Sequence, residues 1–302
     1  MALDPLTPPE LHTPAGYDRL IAYYEGAGLD FEHWSPGFNM HFGYYRGGMN
    51  PFNREPMLNE MNRQVLDRLR LAPGGRDQLI VDLGCGVGAT ARYAATQYPD
   101  ARVLGLTVVP WQIRYGTELN RRAGLDGRAS LKLADYTNSG LPAGSAGAAY
   151  AIESACHAQG SDKSALIQEA ARLLRPGARF VVADGFLRNV TEARPLGRMY
   201  TRLHASLCRS FVLPEMARIE AFTAALHHHG FTDVVTEDIS WRVAPSALHA
   251  PLAVLWFRAA KTLHHQRLST ASTDNLRGSL LTAVLGANRR KFAYYLVSAT
   301  RV

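Results

Sequence analysis

Hydrophobic residues in the middle of the chain fall into two alternating patterns. Short unbroken apolar runs are each followed by a stretch in which apolar residues return every three or four positions. The first pattern suits a strand buried on both faces, the second a helix with one buried stripe. Read this way, LIVDLG (79–84), RVLGLT (102–107), SLKLAD (130–135), AAYAIES (148–154) and RFVVAD (179–184) are strands. GATARYAATQY (88–98), PWQIRYGTELNRRAG (110–124) and DKSALIQEAARLL (162–174) are helices. The proline of the second suits a first turn, and RPG (175–177) is expected to stop the third.

Strands alternating with helices imply a parallel sheet covered on both faces. A further helix is expected over PEMARIEAFTAALHHHG (214–230), with strands over FTDVVTEDIS (231–240) and FAYYLVSAT (292–300). The stretch between those strands reads as mostly helical from Ser246 onward. The fold class is therefore α/β and Rossmann-like. Residues 1–75 are expected to form an N-terminal helical arm and lid, and residues 76–302 the core domain. Inserts near 187–209 and 245–288 are placed to cover a ligand at the C-terminal edge of the sheet.

The 302 residues, 47% hydrophobic and 20% charged, are ordinary for a soluble globular protein. No run is long and apolar enough for a membrane span, and the N-terminal stretch lacks the layout of a secretory signal. Three scattered cysteines without C-x-x-C spacing argue against disulfides and zinc, and fit a reducing cytoplasm. A net charge of +7 and a pI near 9.4 point to anionic partners, either nucleic acid or a small anionic substrate. The basic residues are spread along the chain with no basic arm, which argues against nucleic acid.

The turn VDLGCGVGAT (81–90) follows a strand and opens a helix, as a cofactor-binding turn requires. Gly84, Gly86 and Gly88 are spaced G-x-G-x-G, not the G-x-G-x-x-G of dinucleotide enzymes. Asp82 just before them repels phosphate and attracts a cation. S-adenosyl-L-methionine (SAM) offers an ammonium and a sulfonium. A plain tight turn is the alternative.

VDLGCGVGAT resembles the first motif of class I SAM-dependent methyltransferases, whose fold is a seven-stranded, mostly parallel sheet with helical additions. GLTVVPWQ (105–112) lacks the ribose-binding acid that most members carry, and is similar instead to the segment of sterol, tocopherol and cyclopropane-forming methyltransferases. That likeness carries Thr107 and Gln112 over as ribose-side contacts, with Val109 in place of the usual Ser. It also assigns Asp135 to the adenine amino group, with Tyr136 beside it; a turn or cap role for Asp135 stays open.

YAIESACHA (150–158) resembles a segment of the sterol methyltransferases and of methyltransferases acting on isoprenoid diphosphates. Methyl addition to an alkene leaves a carbocation that must lose a proton, and Glu153 at the tip of the fourth strand is expected to stabilise the one and accept the other. Beside a sulfonium it should stay ionised. The alternatives are a loop cap or a contact to the donor's ammonium. His157 is either a second candidate base or an orienting partner.

The arm segment 19–45 resembles the aromatic-rich segment preceding the sterol methyltransferase core. Tyr24 is carried over as a donor contact; Trp34, His41, Phe42 and Tyr44 are expected to line the substrate site and exclude water. ISWRVAPSALHAP (239–251) is similar to a tocopherol-type segment, which makes the following helices a pocket roof. Arg188, Arg194, Arg198, Arg202 and Arg209 either hold a diphosphate or form a solvated helix face. His227 to His229 lack a carboxylate partner at ligand spacing, so no metal is expected there.

The resemblance implies methyl transfer to a small, largely apolar acceptor at carbon, either an isoprenoid diphosphate, with Mg2+ only in that case, or a neutral lipid-like molecule. An O- or N-methyltransferase and a non-catalytic SAM-binding protein are the rival readings. No nucleic-acid partner is expected, and a homo-oligomer is left open.

Overall fold

The computed structural model describes residues 16–71, 78–191, 193–263 and 268–302. The first residues of the expected arm and part of the late helical excursion lie outside these. The arm comprises α1 (Asp18–Ala27), α2 (Asp30–Trp34) and α3 (Arg54–Arg68). The expected alternation then follows: β1 (Gln78–Leu83), α4 (Ala89–Gln97), β2 (Ala101–Thr107), α5 (Pro110–Arg122) and β3 (Ala129–Leu133). After these come β4 (Ala146–Ile152), α6 (Ser164–Leu173) and β5 (Leu174–Leu187). The rest is α7 (Arg198–Ser210), β6 (Ala217–Arg218), α8 (Ile219–His228) and β7 (Phe231–Asp238), then α9 (Ser240–Ala247), α10 (His249–Leu263), α11 (Thr270–Gly286) and β8 (Phe292–Arg301).

The strands form one sheet in the order β3-β2-β1-β4-β5-β8-β7, with the two-residue β6 beside β5. All of it is parallel except β8, which runs antiparallel between β5 and β7. The chain winds outward from β1 to β3 and then crosses to β4 on the other side of β1. The β1–β4 boundary is thus the switch point beyond which such sheets bind ligands.

Small side chains explain how closely the layers approach. Ala146, Ala148, Ala149 and Ala151 of β4 are fully buried, so helices pack near the sheet on both faces. One face is covered through Leu166, Ile167, Phe222 and Leu226 of α6 and α8. The other takes Met61, Val65, Ala94 and Val243 of α3, α4 and α9. The arm is therefore tied into the core through α3.

Three expected boundaries differ. The helix ends before RPG as expected, but the strand expected from Arg179 starts at Leu174 and takes RPG in, because Leu174 already pairs with Ala146 before a register shift to the Arg179–Ala148 pair. The helix expected from Pro214 begins at Ile219, since Ala217 and Arg218 pair with Phe186 and Leu187. The strand expected to reach Ser240 stops at Asp238, whose carboxylate accepts from the Ser240 backbone N–H at 3.0 Å and hydroxyl at 2.6 Å. That turn starts α9 early and leaves Pro245 inside it.

Candidate active site

β1 ends in a turn that only glycine fits well. Gly84 has φ +101, and a Cβ there would lie 2.4 Å from the Ser154 Cβ on the neighbouring strand end. The backbone N–H groups of Gly84 and Cys85 both donate to the Leu106 carbonyl, at 3.1 and 2.9 Å, pinning the turn to β2. Gly86, with φ +54, faces Met40. Gly88 caps α4 in a left-handed conformation and faces Leu131, away from the cleft, so its role is in the helix start.

Two adjoining cavities open beyond the strand ends. The smaller, about 810 Å³ with its mouth, lies over the glycine turn. The larger, about 2040 Å³ with its mouth, lies under α9, α11 and the arm. Tyr24, Met40, His41, Glu153 and His157 line both.

The smaller cavity gathers most of the residues expected at the donor: Tyr24, Asp82, Gly84, Gly86, Thr107, Gln112, Asp135 and Tyr136. Asp82 is buried, accepts from the Tyr150 hydroxyl at 3.0 Å, and is pushed up to about 7 by desolvation despite that bond. The Thr107 hydroxyl donates to the Gln112 side-chain oxygen at 2.5 Å, so these two act as a pair. Asp135 accepts from the Thr137 backbone N–H and hydroxyl, both at 2.7 Å, and from Tyr17 at 2.8 Å. It closes its own turn and lines the cleft at once. Tyr136 donates to the Ser154 carbonyl at 2.9 Å. Among the lining residues of this cavity there are three carboxylates and no lysine or arginine.

Glu153 sits at the junction of the cavities with φ +47, a left-handed backbone uncommon for a non-glycine residue. Its Oε1 accepts from the Phe42 backbone N–H at 2.6 Å and from the Tyr294 hydroxyl at 2.9 Å. Burial nevertheless pushes its carboxyl up to about 8, with neighbouring Asp184 adding to the rise. In these surroundings, with no cation beside it, desolvation outweighs the two hydrogen bonds and favours the protonated carboxyl. His157 meets the Tyr24 hydroxyl through Nε2 at 3.2 Å, while Nδ1 is buried. Burial holds its ring down to about 4, so the imidazole is neutral.

Trp34 and Phe42 line the larger cavity, their rings edge to face at 5.7 Å. His41 borders both cavities, but its two ring nitrogens are engaged by the Phe42 carbonyl at 2.9 Å and by Asn62 at 3.0 Å. Tyr44 does not reach either cavity and packs on the core beneath α9, with Arg242 over its ring. The five arginines are also absent from both linings. Arg198, Arg202 and Arg209 are exposed on α7, and Arg188 pairs with Asp238 at 2.7 Å.

Residue reading missed Tyr17, Met40, Ser154 and Tyr294 as part of this site. Tyr294 lies in the last strand, 141 positions from Glu153, and only the β5–β8 pairing brings it there. Lys163 was equally invisible: it is fully buried, its ammonium donating to the carbonyls of Ala158 at 2.7 Å and Glu215 at 2.8 Å. It holds the loop that carries His157.

Residues 80–177 match the family model described as "Methyltransferase domain". The chain is 27% identical over 232 residues to the chloroplastic tocopherol O-methyltransferase of Arabidopsis thaliana, covering 74% of this chain and 65% of that one. It is 28% identical over 243 residues to a sterol 24-C-methyltransferase of Eremothecium gossypii, covering 80% and 62%. The chain thus spans a little under two thirds of the length of these relatives. Among solved structures, geranyl diphosphate C-methyltransferase from Streptomyces coelicolor A3(2) superposes with a TM-score of 0.71 at 18% identity, over 97% of this chain and 100% of that one. The sheet order, with its antiparallel β8, agrees with that likeness in fold, and the matched segment begins in β1 and contains the glycine turn. The matched segment, residues 80–177, is thus similar to a methyltransferase domain, and the fold around it is like that of solved methyltransferases.

Proposed function

We propose that the protein uses SAM to methylate a small, largely apolar acceptor at carbon, with Glu153 taking the proton that the acceptor must lose. The observation that carries this reading is the placement of Glu153, a carboxyl on a left-handed backbone where an acidic cleft meets a large apolar cavity.

The cleft fits SAM by its chemistry. Carboxylates without a facing cation suit an ammonium and a sulfonium, and would repel the phosphates of a dinucleotide. SAM supplies an activated methyl group. In this reading Asp82 orients the ammonium through the turn, the Thr107–Gln112 pair meets the ribose hydroxyls, and Asp135 and Tyr136 meet the adenine. Tyr24 closes the cleft from the arm. Trp34 and Phe42 exclude water from the acceptor side, where alignment and desolvation supply most of the rate.

A cation beside Glu153 favours its ionised form. SAM affinity should therefore rise with pH, by roughly tenfold between pH 6 and 8, as the carboxyl gives up its proton. Asp82 contributes to the lower part of that rise and Glu153 to the upper part, so Glu153→Gln should flatten the curve above pH 7. Titration calorimetry in buffers of different ionisation heat checks this, and a wild-type affinity independent of pH would contradict it.

A neutral acceptor is favoured over a diphosphate: the expected arginines do not reach the larger cavity, and Arg289 in its lining is already paired with Asp238 at 3.0 Å. Replacing Arg198, Arg202 and Arg209 together by Ala should leave KM for the acceptor within about twofold, since exposed charges outside a site contribute little. A large KM increase would restore the diphosphate, and with it a role for Mg2+. One observation favours a second reading, O-methylation of a phenol or alcohol. Neutral His157, which lines both cavities at the same junction, can accept a hydroxyl proton.

A further inference from the structure

α10 is apolar on both sides. Ala250, Val254 and Phe257 turn inward, the Phe257 ring lying 5.2 Å from that of His33. Leu252, Leu255, Trp256 and Leu263 turn outward and are 65%, 65%, 72% and 77% exposed. Trp241 of α9 and Leu248, at 76% and 67% exposed, extend this apolar face to the larger cavity, which both line. So large an exposed apolar face marks an interaction surface.

We propose that this face docks on an anionic phospholipid bilayer and sets the mouth of the larger cavity against it. Charge selects the partner. No Asp or Glu occurs between Asp238 and Asp274, while Arg242, Arg258 and Lys261 lie on α9 and α10. A helix pair bearing Trp and Leu among basic residues, without acids, has the make-up of a segment that lies in the lipid interface. Among the described residues no helix is long and apolar enough to cross a membrane, so the contact is peripheral. A second copy of the chain is the weaker occupant, because a two-fold contact would bring the basic residues of α9 and α10 of both copies together. The cavity mouth then opens toward the phase in which an apolar molecule dissolves. The proposal rests on the exposed surface alone and does not depend on the methyl-transfer reading.

The test is cosedimentation of the full chain with vesicles of phosphatidylcholine alone and of phosphatidylcholine with phosphatidylglycerol. Binding should be about tenfold or more tighter to the anionic vesicles at low salt, and weaken as salt is added. Trp fluorescence should be quenched by brominated acyl chains. Leu252→Ser, Leu255→Ser and Trp256→Ser combined should abolish sedimentation and leave the thermal midpoint unchanged, since all three side chains are exposed. Equal binding to both vesicle types, no binding to either, or undiminished binding by the folded triple variant would each overturn the proposal. A dimer in sedimentation velocity that the triple variant dissolves, without vesicle binding, would assign the face to a second copy instead.

Discussion

Glu153→Gln should lower kcat for methyl transfer by about 10²–10⁴, the range expected for a positioned general base. Donor affinity near neutral pH should change by less than about tenfold, because the carboxyl there is largely protonated and Gln is close to it in shape. The amide oxygen can still accept from the Phe42 N–H and the Tyr294 hydroxyl, so the junction should keep its form. This separates the chemical role from a structural one. A glutamate that merely caps its loop would give the opposite pattern, a lower melting temperature with kcat retained. Single-turnover rates and a melting curve on the same variant distinguish the two. If kcat survives for a hydroxyl acceptor, His157 becomes the base and the oxygen reading stands.

Gly84→Ala should be among the most damaging small changes in the described residues. The new methyl would lie 2.4 Å from Ser154 Cβ, at φ +101 where an L-residue is already strained. Neither side can yield easily, because the Ser154 hydroxyl is bonded to the Leu83 carbonyl at 2.6 Å. A clash plus backbone strain of this kind costs about 3–5 kcal/mol, roughly 5–8 °C in melting temperature for a domain of this size. SAM binding should be lost with it. Gly124→Ala is the control: it too has positive φ, at +65, but nothing within 4 Å. It should cost about 1 kcal/mol and leave binding intact. Equal effects of the two variants would refute the close-packing account of the turn.

The fold was legible in the sequence where local pattern and burial agree. The five parallel strands and the helices between them were readable because their apolar runs are largely buried, the edge strand β3 only in part. The boundaries that failed depend on pairing that no local pattern reveals, such as Leu174 joining Ala146 or Ala217 joining Phe186. The donor side of the site was readable for a related reason. Asp82, Thr107 and Asp135 stand at or just past successive strand ends, so their position along the chain gives their position in space. The acceptor side was not. Phe42 and Tyr44 are both aromatic, partly buried and packed against the core, yet only Phe42 lines the larger cavity. Tyr294 reaches Glu153 through a sheet contact between distant segments, and the charge state of Glu153 depends on burial that its neighbours in sequence do not disclose.

The most direct test of the central claim is methyl transfer itself. Purified protein would be incubated with SAM carrying a deuterated methyl group and a panel of apolar alkenes, electron-rich phenols and isoprenoid diphosphates, each with and without Mg2+. Products would be located by mass spectrometry and NMR. The account predicts a deuterated methyl group on carbon of a neutral apolar acceptor, formed without Mg2+ and lost in Glu153→Gln. Transfer only to oxygen or nitrogen, unaffected by that substitution, would contradict it.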